Sequence, residues 1–286
     1  MVYRSFGFDV IACDICAHRP HGSGGAFLPM SVVAEVTGRI GTVRLDNPKK
    51  HNVLDMAGWL ALADAVQTLS ERDDIRALAI RGTGGRAFSA GSDISAFAEQ
   101  RSSARDVRDY SNAIAFGMRA IRACRHPTVA IIEGLCVGGG LEIAACCDLR
   151  VCSESSRFGA PINRLGLTMS HDEIEPLVQI LGPNFLLEIL LTGELINADR
   201  ALAVGLVNRV WPDADILEKG YSFLSRISEG APLVNRWHKK FVYRLMEQRM
   251  LTKEEREEAH DAFETDDYVE GRTAFVEKRD PDFTGS

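Results

Sequence analysis

The stretch "EGLCVGGGLEIAACCD", residues 133–148, decides the fold, because three consecutive glycines interrupt an apolar run. One acid, Glu142, follows the glycines, and apolar residues resume after it. Glycine serves where backbone must approach another group closely, and the N–H groups at a helix start favour negative charge. The stretch therefore predicts a glycine turn after a strand, then a short helix from about residue 140 that carries an acid in its first turn.

Strand and helix patterns alternate around this stretch from about residue 30 to 155. Residues 83–93 ("TGGRAFSAGSD") have the composition of a loop. The other predicted elements are a hairpin around Thr37-Gly38-Arg39, a helix with Trp59, Leu62, Val66 and Leu69 on one face, strands at 75–82, 127–134 and 149–154, and a helix over 104–124. This alternation predicts an α/β fold of βαβ units with a largely parallel sheet.

The two ends of the chain differ from this α/β core. Residues 1–30 have no clear period and include the linker-like "HRPHGSGGAFLP", so we expect a flexible N-terminal extension. Beyond about residue 173 the pattern is mostly helical, and Asn197 and Gly205 frame one short helix as N-cap and C-terminal stop. The predicted organisation is an extension over 1–30, an α/β core over 31–210 and a C-terminal helical region over 211–286.

Composition excludes several classes of protein. The chain has 286 residues, 45% of them hydrophobic, and a net charge of −7, which argues against a nucleic-acid partner or an anionic membrane surface. No apolar run approaches the roughly 18 residues that a membrane span needs. Seven cysteines, an odd number with Cys146 and Cys147 adjacent, do not suit a disulfide framework. A cytoplasmic location is therefore expected.

A metal site is the first candidate considered. Cys13, Cys16, His18 and His21 in "CDICAHRPH" could offer four ligands to zinc. Their spacing is not among the usual zinc spacings, and the alternative is a flexible extension in which these residues fall close by chance. We predict no metal site.

A dinucleotide site is the second candidate. Gly82, Gly84 and Ala87 fit G-x-G-x-x-A after a predicted strand, but that fingerprint needs a helix to open there, and "AFSAGSDI" shows no helical stripe. We therefore predict no nicotinamide or flavin cofactor.

Two glycine-rich loops together form the third candidate. "AFSAGSDI" and "GLCVGGGLE" each follow the apolar strand pattern and place small residues, including Ala90, where backbone must approach something closely. One N–H from each loop could hold a developing oxyanion. The alternative is that the glycines only allow strands and helices to pack.

These loops and the segments that follow them resemble the enoyl-CoA hydratase/isomerase (crotonase) family over about residues 32–284. The later segments that carry the resemblance are "FGAPINRLGL", "LLTGELINADRALAVGLVNRV" and "GRTAFVEKRDPDF". The resemblance implies a spiral of ββα units with a helical C-terminal trimerisation region. It also implies a homotrimer or a dimer of trimers and a coenzyme A thioester as substrate, with no further cofactor.

The same resemblance implies roles for individual residues. The N–H groups of Ser92 and Gly139 would hold the thioester oxygen, and Glu142 would be the catalytic acid or base. The remaining positions would line the substrate or coenzyme A: Lys50, His51, Asn52, Ala90, Ile162 and Lys278. For Lys50 and Lys278 the alternative is ordinary surface charge, and for Glu142 it is a paired carboxylate that stabilises the loop.

One departure from the family leaves the reaction open. Hydratases of this family carry a second glutamate in F-G-x-P-E, and here "FGAPIN" places Ile162 at that position, followed by Asn163, which cannot act as a base. Two carboxylates suit water addition, because one can activate the water while the other handles the proton at carbon 2. Hydration stays the default prediction. Isomerisation, decarboxylation, thioester hydrolysis and an acyl-CoA binder with little or no activity are the alternatives.

The segment "TMSHDEIEP" offers possible replacements for the missing acid. His171 and Glu173 are candidate auxiliary proton donors, with Asp172 and Glu175 beside them. The alternative is that these acids cap a helix and complement its dipole, with Pro176 in its first turn.

Overall fold

The computed structural model describes residues 31–247 and 249–286, and in its first two thirds pairs of strands alternate with helices. The strands are β1 (Val32–Thr37), β2 (Ile40–Leu45), β3 (Ala77–Gly82), β4 (Ala87–Ser89), β5 (Thr128–Ile132), β6 (Leu135–Val137), β7 (Leu149–Ser153), β8 (Arg157–Gly159), β9 (Ile196–Asn197) and β10 (Arg209–Trp211). The helices are α1 (Met56–Ser70), α2 (Phe97–Gln100), α3 (Ala104–Ala123), α4 (Gly139–Cys146), α5 (His171–Thr192), α6 (Ala198–Ala203), α7 (Ile216–Glu229), α8 (Pro232–Met246), α9 (Lys253–Glu257) and α10 (Asp266–Glu277).

The strands form two sheets, and the pairs β3–β4, β5–β6 and β7–β8 each place one strand in each sheet. The larger sheet has the order β1-β2-β3-β5-β7-β10, and it is parallel except for the β1–β2 hairpin. The smaller sheet has the order β4-β6-β8-β9, with the first three strands parallel and β9 antiparallel at the edge. The units β3–β4–α3, β5–β6–α4 and β7–β8–α5 repeat in chain order, which confirms the predicted α/β spiral of ββα units.

The larger sheet is buried on both faces, as parallel sheets are. Leu78 and Ile80 of β3 pack into the main core with α1 and α3, whereas Ala77 and Ala79 pack against Ile216 and Leu224 of α7 and their neighbours. This alternation follows from the two-residue period of a strand. The helix α7 therefore covers one face of the sheet, and the ββα helices cover the other.

Most of the elements predicted from the sequence are confirmed. The hairpin turn, α1, α3, α4 and the short helix α6 lie where the patterns predicted them, and the Asn197 side chain caps α6 by accepting from Arg200 N–H at 2.9 Å. The prediction that residues 83–93 are only a loop is wrong, because β4 lies inside that range. The strands β6 and β8 were not predicted either. Each of these strands has three residues, which is too short for a period to be recognised.

The helix α5 bends in its middle. Gly182 has φ 68° and ψ 164°, outside the helical region, and Pro183 begins the second half. By length and composition alone α5 is long and apolar enough to cross a membrane, a test that core helices also pass. Three of its residues, Leu177, Leu186 and Ile189, are buried in the main core. Pro176 is the sixth residue of the helix, so its predicted place in the first turn is wrong.

The C-terminal helices are fixed to the sheets by an ion pair. Lys239 of α8 lies with Nζ 2.9 Å from Asp148 Oδ2 and donates to the His126 carbonyl at 3.1 Å. Tyr243, one turn further, donates to Asp148 Oδ1 at 2.9 Å. The Lys239 side chain is only 8% exposed, so this pair sits in a protected position between α8 and the end of α4.

Several predictions from the sequence are not tested by the fold. The candidate zinc ligands Cys13, Cys16, His18 and His21 and the predicted extension lie outside the described residues. The cysteines that the structure describes are all free and buried, and they are Cys124, Cys136, Cys146, Cys147 and Cys152. The cytoplasmic location stays a prediction.

Candidate active site

Three loops meet where the parallel strands β4, β6 and β8 end. Because these strands are neighbours and run in the same direction, their carboxyl ends share one edge of the smaller sheet. The loop after β4 carries Ser92, the loop after β6 carries Gly139, and Ile162 follows β8 in a 3-10 helix, Pro161–Leu165. The topology therefore brings together three segments that lie up to about seventy residues apart in the chain.

The glycines of the first two loops allow backbone to pack on backbone. A Cβ on Gly91 would lie 2.5 Å from Gly139 N, and one on Gly140 would lie 2.1 Å from Ser89 O. A Cβ on Gly139 would lie 2.9 Å from the Trp59 ring. The packing alternative therefore accounts for these three glycines, since protein atoms occupy the space that a side chain would need.

Two backbone N–H groups are left unpaired by this packing. Leu54 forms a parallel bridge to Ser92, in which Leu54 N donates to Gly91 O and Asp93 N donates to Leu54 O, both at 2.8 Å. Backbone groups alternate in direction along an extended segment, so the Ser92 N–H points away from Leu54. Gly139 is the first residue of α4, where an N–H has no partner inside the helix. Within the described residues neither N–H donates a hydrogen bond.

Glu142 lies in the first turn of α4, directly behind these N–H groups. Its side chain is 4% exposed and makes no hydrogen bond or ion pair with the described residues. Burial raises the pKa of the Glu142 carboxyl well above its usual range, and the charge of Glu173 raises it further, while that of Arg101 lowers it. Glu142 is therefore a buried acid whose surroundings favour its protonated form.

The start of α5 supplies the second acid near Glu142. Glu173 forms a capping box with Ser170: its Oε2 accepts from Ser170 N–H at 2.5 Å, and its own N–H donates to Ser170 Oγ at 3.4 Å. Glu175 is exposed and accepts from Gln179 at 3.0 Å. The capping interpretation thus holds for Glu173, which is also the one acid of this segment whose charge acts on Glu142. His171 and Asp172 are exposed.

The segment before α1 is held in place by Asn52. This residue is 1% exposed, and its amide donates to Ala87 O at 2.7 Å and to Thr83 O at 3.0 Å. It also accepts from Asn47 N at 2.9 Å, so the side chain is occupied by contacts inside the protein. His51 and Asn52 both have positive φ, at 54° and 56°, and Ala90 N donates to His51 O at 2.9 Å. These contacts join the 50–52 segment to the loop that carries Ser92.

The remaining predicted binding residues differ in how they lie. Lys50 is paired with Asp93 at 2.8 Å and donates to Ser95 Oγ at 3.0 Å, close to Ser92 in the chain. Ile162 is half-buried and packs against the main core. Its neighbour Asn163 turns to the end of α5 and donates to Leu191 O at 2.9 Å. Lys278 ends α10, and in the described chain it makes no hydrogen bond to the loops around Ser92 and Gly139.

The dinucleotide motif lies in the described part of the chain, whereas the candidate zinc ligands lie outside it. After Gly82 the chain turns through Gly84 and Gly85, both with positive φ, directly into β4, so the helix that a dinucleotide fingerprint requires is missing. Across residues 31–247 and 249–286 no three His, Cys, Asp or Glu side chains are grouped as metal ligands.

Arg101, Phe97 and Tyr110 belong to the site but were not predicted from the sequence. The Arg101 guanidinium carbon lies 3.9 Å from the centroid of the Phe97 ring and 4.2 Å from that of Tyr110. The Tyr110 hydroxyl donates to Leu54 O at 3.1 Å, beside the bridge to Ser92. Trp59, predicted only as one face of a helix, also donates to Ser92 Oγ at 3.4 Å. No motif marks these residues, since only the folded chain brings them together.

Comparison with known proteins gives one consistent result. The family model described as enoyl-CoA hydratase/isomerase matches residues 35–286. A crotonyl-CoA hydratase of Syntrophomonas wolfei is 31% identical over 259 residues, which is 88% of this chain and 97% of that protein.

Solved structures agree with the sequence relatives. A crystal structure of an enoyl-CoA hydratase/carnitine racemase from Magnetospirillum magneticum superposes with a TM-score of 0.88 at 39% identity, over 90% of this chain and 96% of the other. An enoyl-CoA hydratase from Bacillus anthracis superposes with a TM-score of 0.84 at 26% identity, over 90% of this chain and 100% of the other. The similarity thus covers nearly all of both chains in each case.

Proposed function

The chain belongs to the enoyl-CoA hydratase/isomerase family, and we propose that it is an acyl-CoA enzyme whose reaction is the addition of water to a 2-enoyl-CoA. One observation carries this proposal: in the described part of the chain, two N–H groups without a hydrogen bond, of Ser92 and Gly139, lie beside a buried acid without a partner, Glu142. Related proteins that are named crotonyl-CoA hydratase and enoyl-CoA hydratase support the same reaction.

In this proposal the two N–H groups hold the thioester oxygen. Water addition to an enoyl thioester places negative charge on that oxygen, and donors aimed at it in advance stabilise the charge by about 3 kcal/mol each. Gly139 adds the positive end of the α4 dipole, because it is the first residue of that helix. Gly91 and Gly140 keep the two loops close enough for both donors to reach one atom.

Glu142 supplies a proton to carbon 2 of the thioester in this mechanism. A general acid must carry its proton at the working pH, and burial favours the protonated form of Glu142. Glu173 takes the role of the second glutamate, whose position in the family motif is occupied here by Ile162. It accepts the proton of the attacking water, and its charge acts on Glu142. The carboxylate keeps Oε1 free while Oε2 accepts from Ser170.

Hydration is tested with crotonyl-CoA and longer 2-enoyl-CoA substrates, followed by loss of the enoyl thioester absorbance and by mass spectrometry. We expect Glu142→Gln to lower the rate by about 10²- to 10⁴-fold and Glu173→Gln by a smaller factor. Glu175→Gln is the matched control, because Glu175 lies on the same helix but is exposed and bonded to Gln179.

An acyl-CoA binder with little activity is the second candidate, and Ile162 is the observation that favours it. If the wild type binds crotonyl-CoA without converting it, and hydration appears only in Ile162→Glu, the binder is correct. If the wild type hydrates the substrate and Glu142→Gln does not, the enzyme is correct.

We also propose that the chain assembles as a homotrimer or a dimer of trimers. Large apolar side chains are exposed on the C-terminal helices, among them Leu245 at 65%, Phe275 at 85% and Val276 at 75%. Patches of this kind commonly mark an interface between subunits. Light scattering of the purified protein tests the assembly, and a monomeric mass would contradict it.

A further inference from the structure

Among the described residues, Arg101 is a cation beside the candidate active site that has no polar partner. Its Nε–H is buried and donates to no acceptor, and its guanidinium makes no hydrogen bond or ion pair with the described residues. The two terminal nitrogens stay accessible, whereas Phe97 and Tyr110 stack against the plane of the group at 3.9 and 4.2 Å. The side chain is therefore held in one orientation with its donors unused.

Arg44, Arg81 and Arg244 also have one buried nitrogen without a hydrogen bond, but each of these side chains has a polar partner in the described chain. Arg150, 6% exposed, donates to Leu206 O at 2.6 Å and to Cys147 O at 2.7 Å. Most buried polar groups in proteins are bonded in this way, and an unpaired one calls for an explanation such as a ligand. Arg101 thus differs from the structural arginine of the same core by its free donors.

The position of Arg101 relates it to the acyl end of the site. Tyr110, on which it stacks, donates to Leu54 O, and Leu54 forms a bridge to Ser92. The charge of Arg101 also acts on Glu142. A group bound by Arg101 would therefore lie beside the segment that carries Ser92.

We propose that Arg101 binds a carboxylate at the far end of the acyl group, so that the substrate is the coenzyme A thioester of a short dicarboxylic acid. This inference rests on the proposed function, since it assumes that a thioester occupies the site. A guanidinium matches a carboxylate with two parallel hydrogen bonds, and the two stacked rings set the plane in which those bonds form.

Neighbouring acids leave room for such an anion. Burial raises the pKa of the Glu142 carboxyl and so disfavours a negative charge there. Asp93 is paired with Lys50 at 2.8 Å. Glu173 is the remaining carboxylate near Glu142, and its Oε2 is directed to the Ser170 N–H.

The test compares two saturated thioesters that the enzyme cannot hydrate, glutaryl-CoA and hexanoyl-CoA, by titration calorimetry. We expect glutaryl-CoA to bind at least about tenfold more tightly to the wild type, because the carboxylate gains a charge-assisted pair. Arg101→Met should abolish this preference and leave hexanoyl-CoA binding nearly unchanged. Arg101→Lys should keep part of it, since lysine retains the charge without the planar pair of donors.

Arg105→Met is the matched control, because Arg105 is 85% exposed on the next helix and pairs only with Asp109. It should leave the preference unchanged. Equal binding of the two thioesters by the wild type, or a preference that survives in Arg101→Met, would overturn the role of Arg101 while the proposed function stands. Failure of both thioesters to bind would overturn the proposed function as well. Thermal unfolding of each variant excludes loss of structure as the cause.

Discussion

Two carboxyl groups stand at the two ends of α4, and their surroundings are opposite. Asp148, two residues past the helix, accepts from Thr128 N at 2.6 Å and Tyr243 OH at 2.9 Å and pairs with Lys239. Glu142, in the first turn, is more deeply buried and has no hydrogen-bond partner in the described chain. A carboxyl group that stabilises the fold is surrounded by hydrogen-bond donors. A buried acid without donors costs desolvation free energy, which indicates a catalytic role.

The largest effect that would test this comparison is expected at Asp148. Asp148→Asn removes the charge that Lys239 faces, so a poorly solvated cation is left unpaired. We expect the free energy of unfolding to fall by about 3 kcal/mol. Urea unfolding measures it, and the double variant with Lys239→Met should lose less than the sum of the two single variants.

Asp73→Asn is the control for that experiment, because Asp73 also pairs with a cationic side chain, that of Arg125, but is 86% exposed. Exposed pairs contribute little, so this variant should unfold like the wild type. If Asp148→Asn were equally harmless, the contrast between the two ends of α4 would fail.

A second, smaller effect is expected where the two glycine loops touch. Gly91→Ala would place a Cβ 2.5 Å from Gly139 N at a residue with φ 88°, which strains the backbone and moves an unpaired N–H. We expect it to lower the free energy of unfolding by about 2 kcal/mol and to reduce enoyl-CoA turnover strongly.

Gly166→Ala separates the two causes of this loss. Gly166 has φ 68° but nothing within 4 Å of its Cβ position, so only the backbone strain applies. A cost of about 1 kcal/mol with full turnover is expected there. Equal loss of activity in both variants would show that the contact between the loops does not matter.

The smallest effect concerns how stability depends on pH at Glu142. Its pKa is raised in the folded state, so above the unfolded value of 4.5 the folded chain binds more protons than the unfolded chain. Stability is therefore fully present below that value and is lost as the pH rises through the folded pKa. Glu142→Gln removes this dependence, so its stability relative to the wild type should increase as the pH is raised above 4.5.

Urea unfolding of both proteins at several pH values provides the measurement, with Glu175→Gln as the exposed control. A difference between wild type and Glu142→Gln that stays constant with pH would mean that Glu142 is paired after all.

The contrast between the two acids also explains what the sequence could predict. Two short motifs, each made of contiguous residues, contain Ser92 and Glu142. The family, the ββα repeat and the acid could therefore be recognised from the sequence. The strands β4, β6 and β8 have three residues each, and no period can develop over that length. Arg101, Tyr110 and Glu173 come together only through the folded chain. The partners of Asp148 lie twenty to ninety-five residues away, so nothing local distinguishes it from Glu142.

The break at Gly182–Pro183 divides α5 into two halves that lie in different surroundings. The first half begins with the Ser170–Glu173 capping box beside Glu142, whereas the second carries Leu187 and Leu191, which are 50% and 72% exposed. Each half has its own start, because the proline opens the second one. The two halves therefore follow different directions, and only the first one begins at the candidate site.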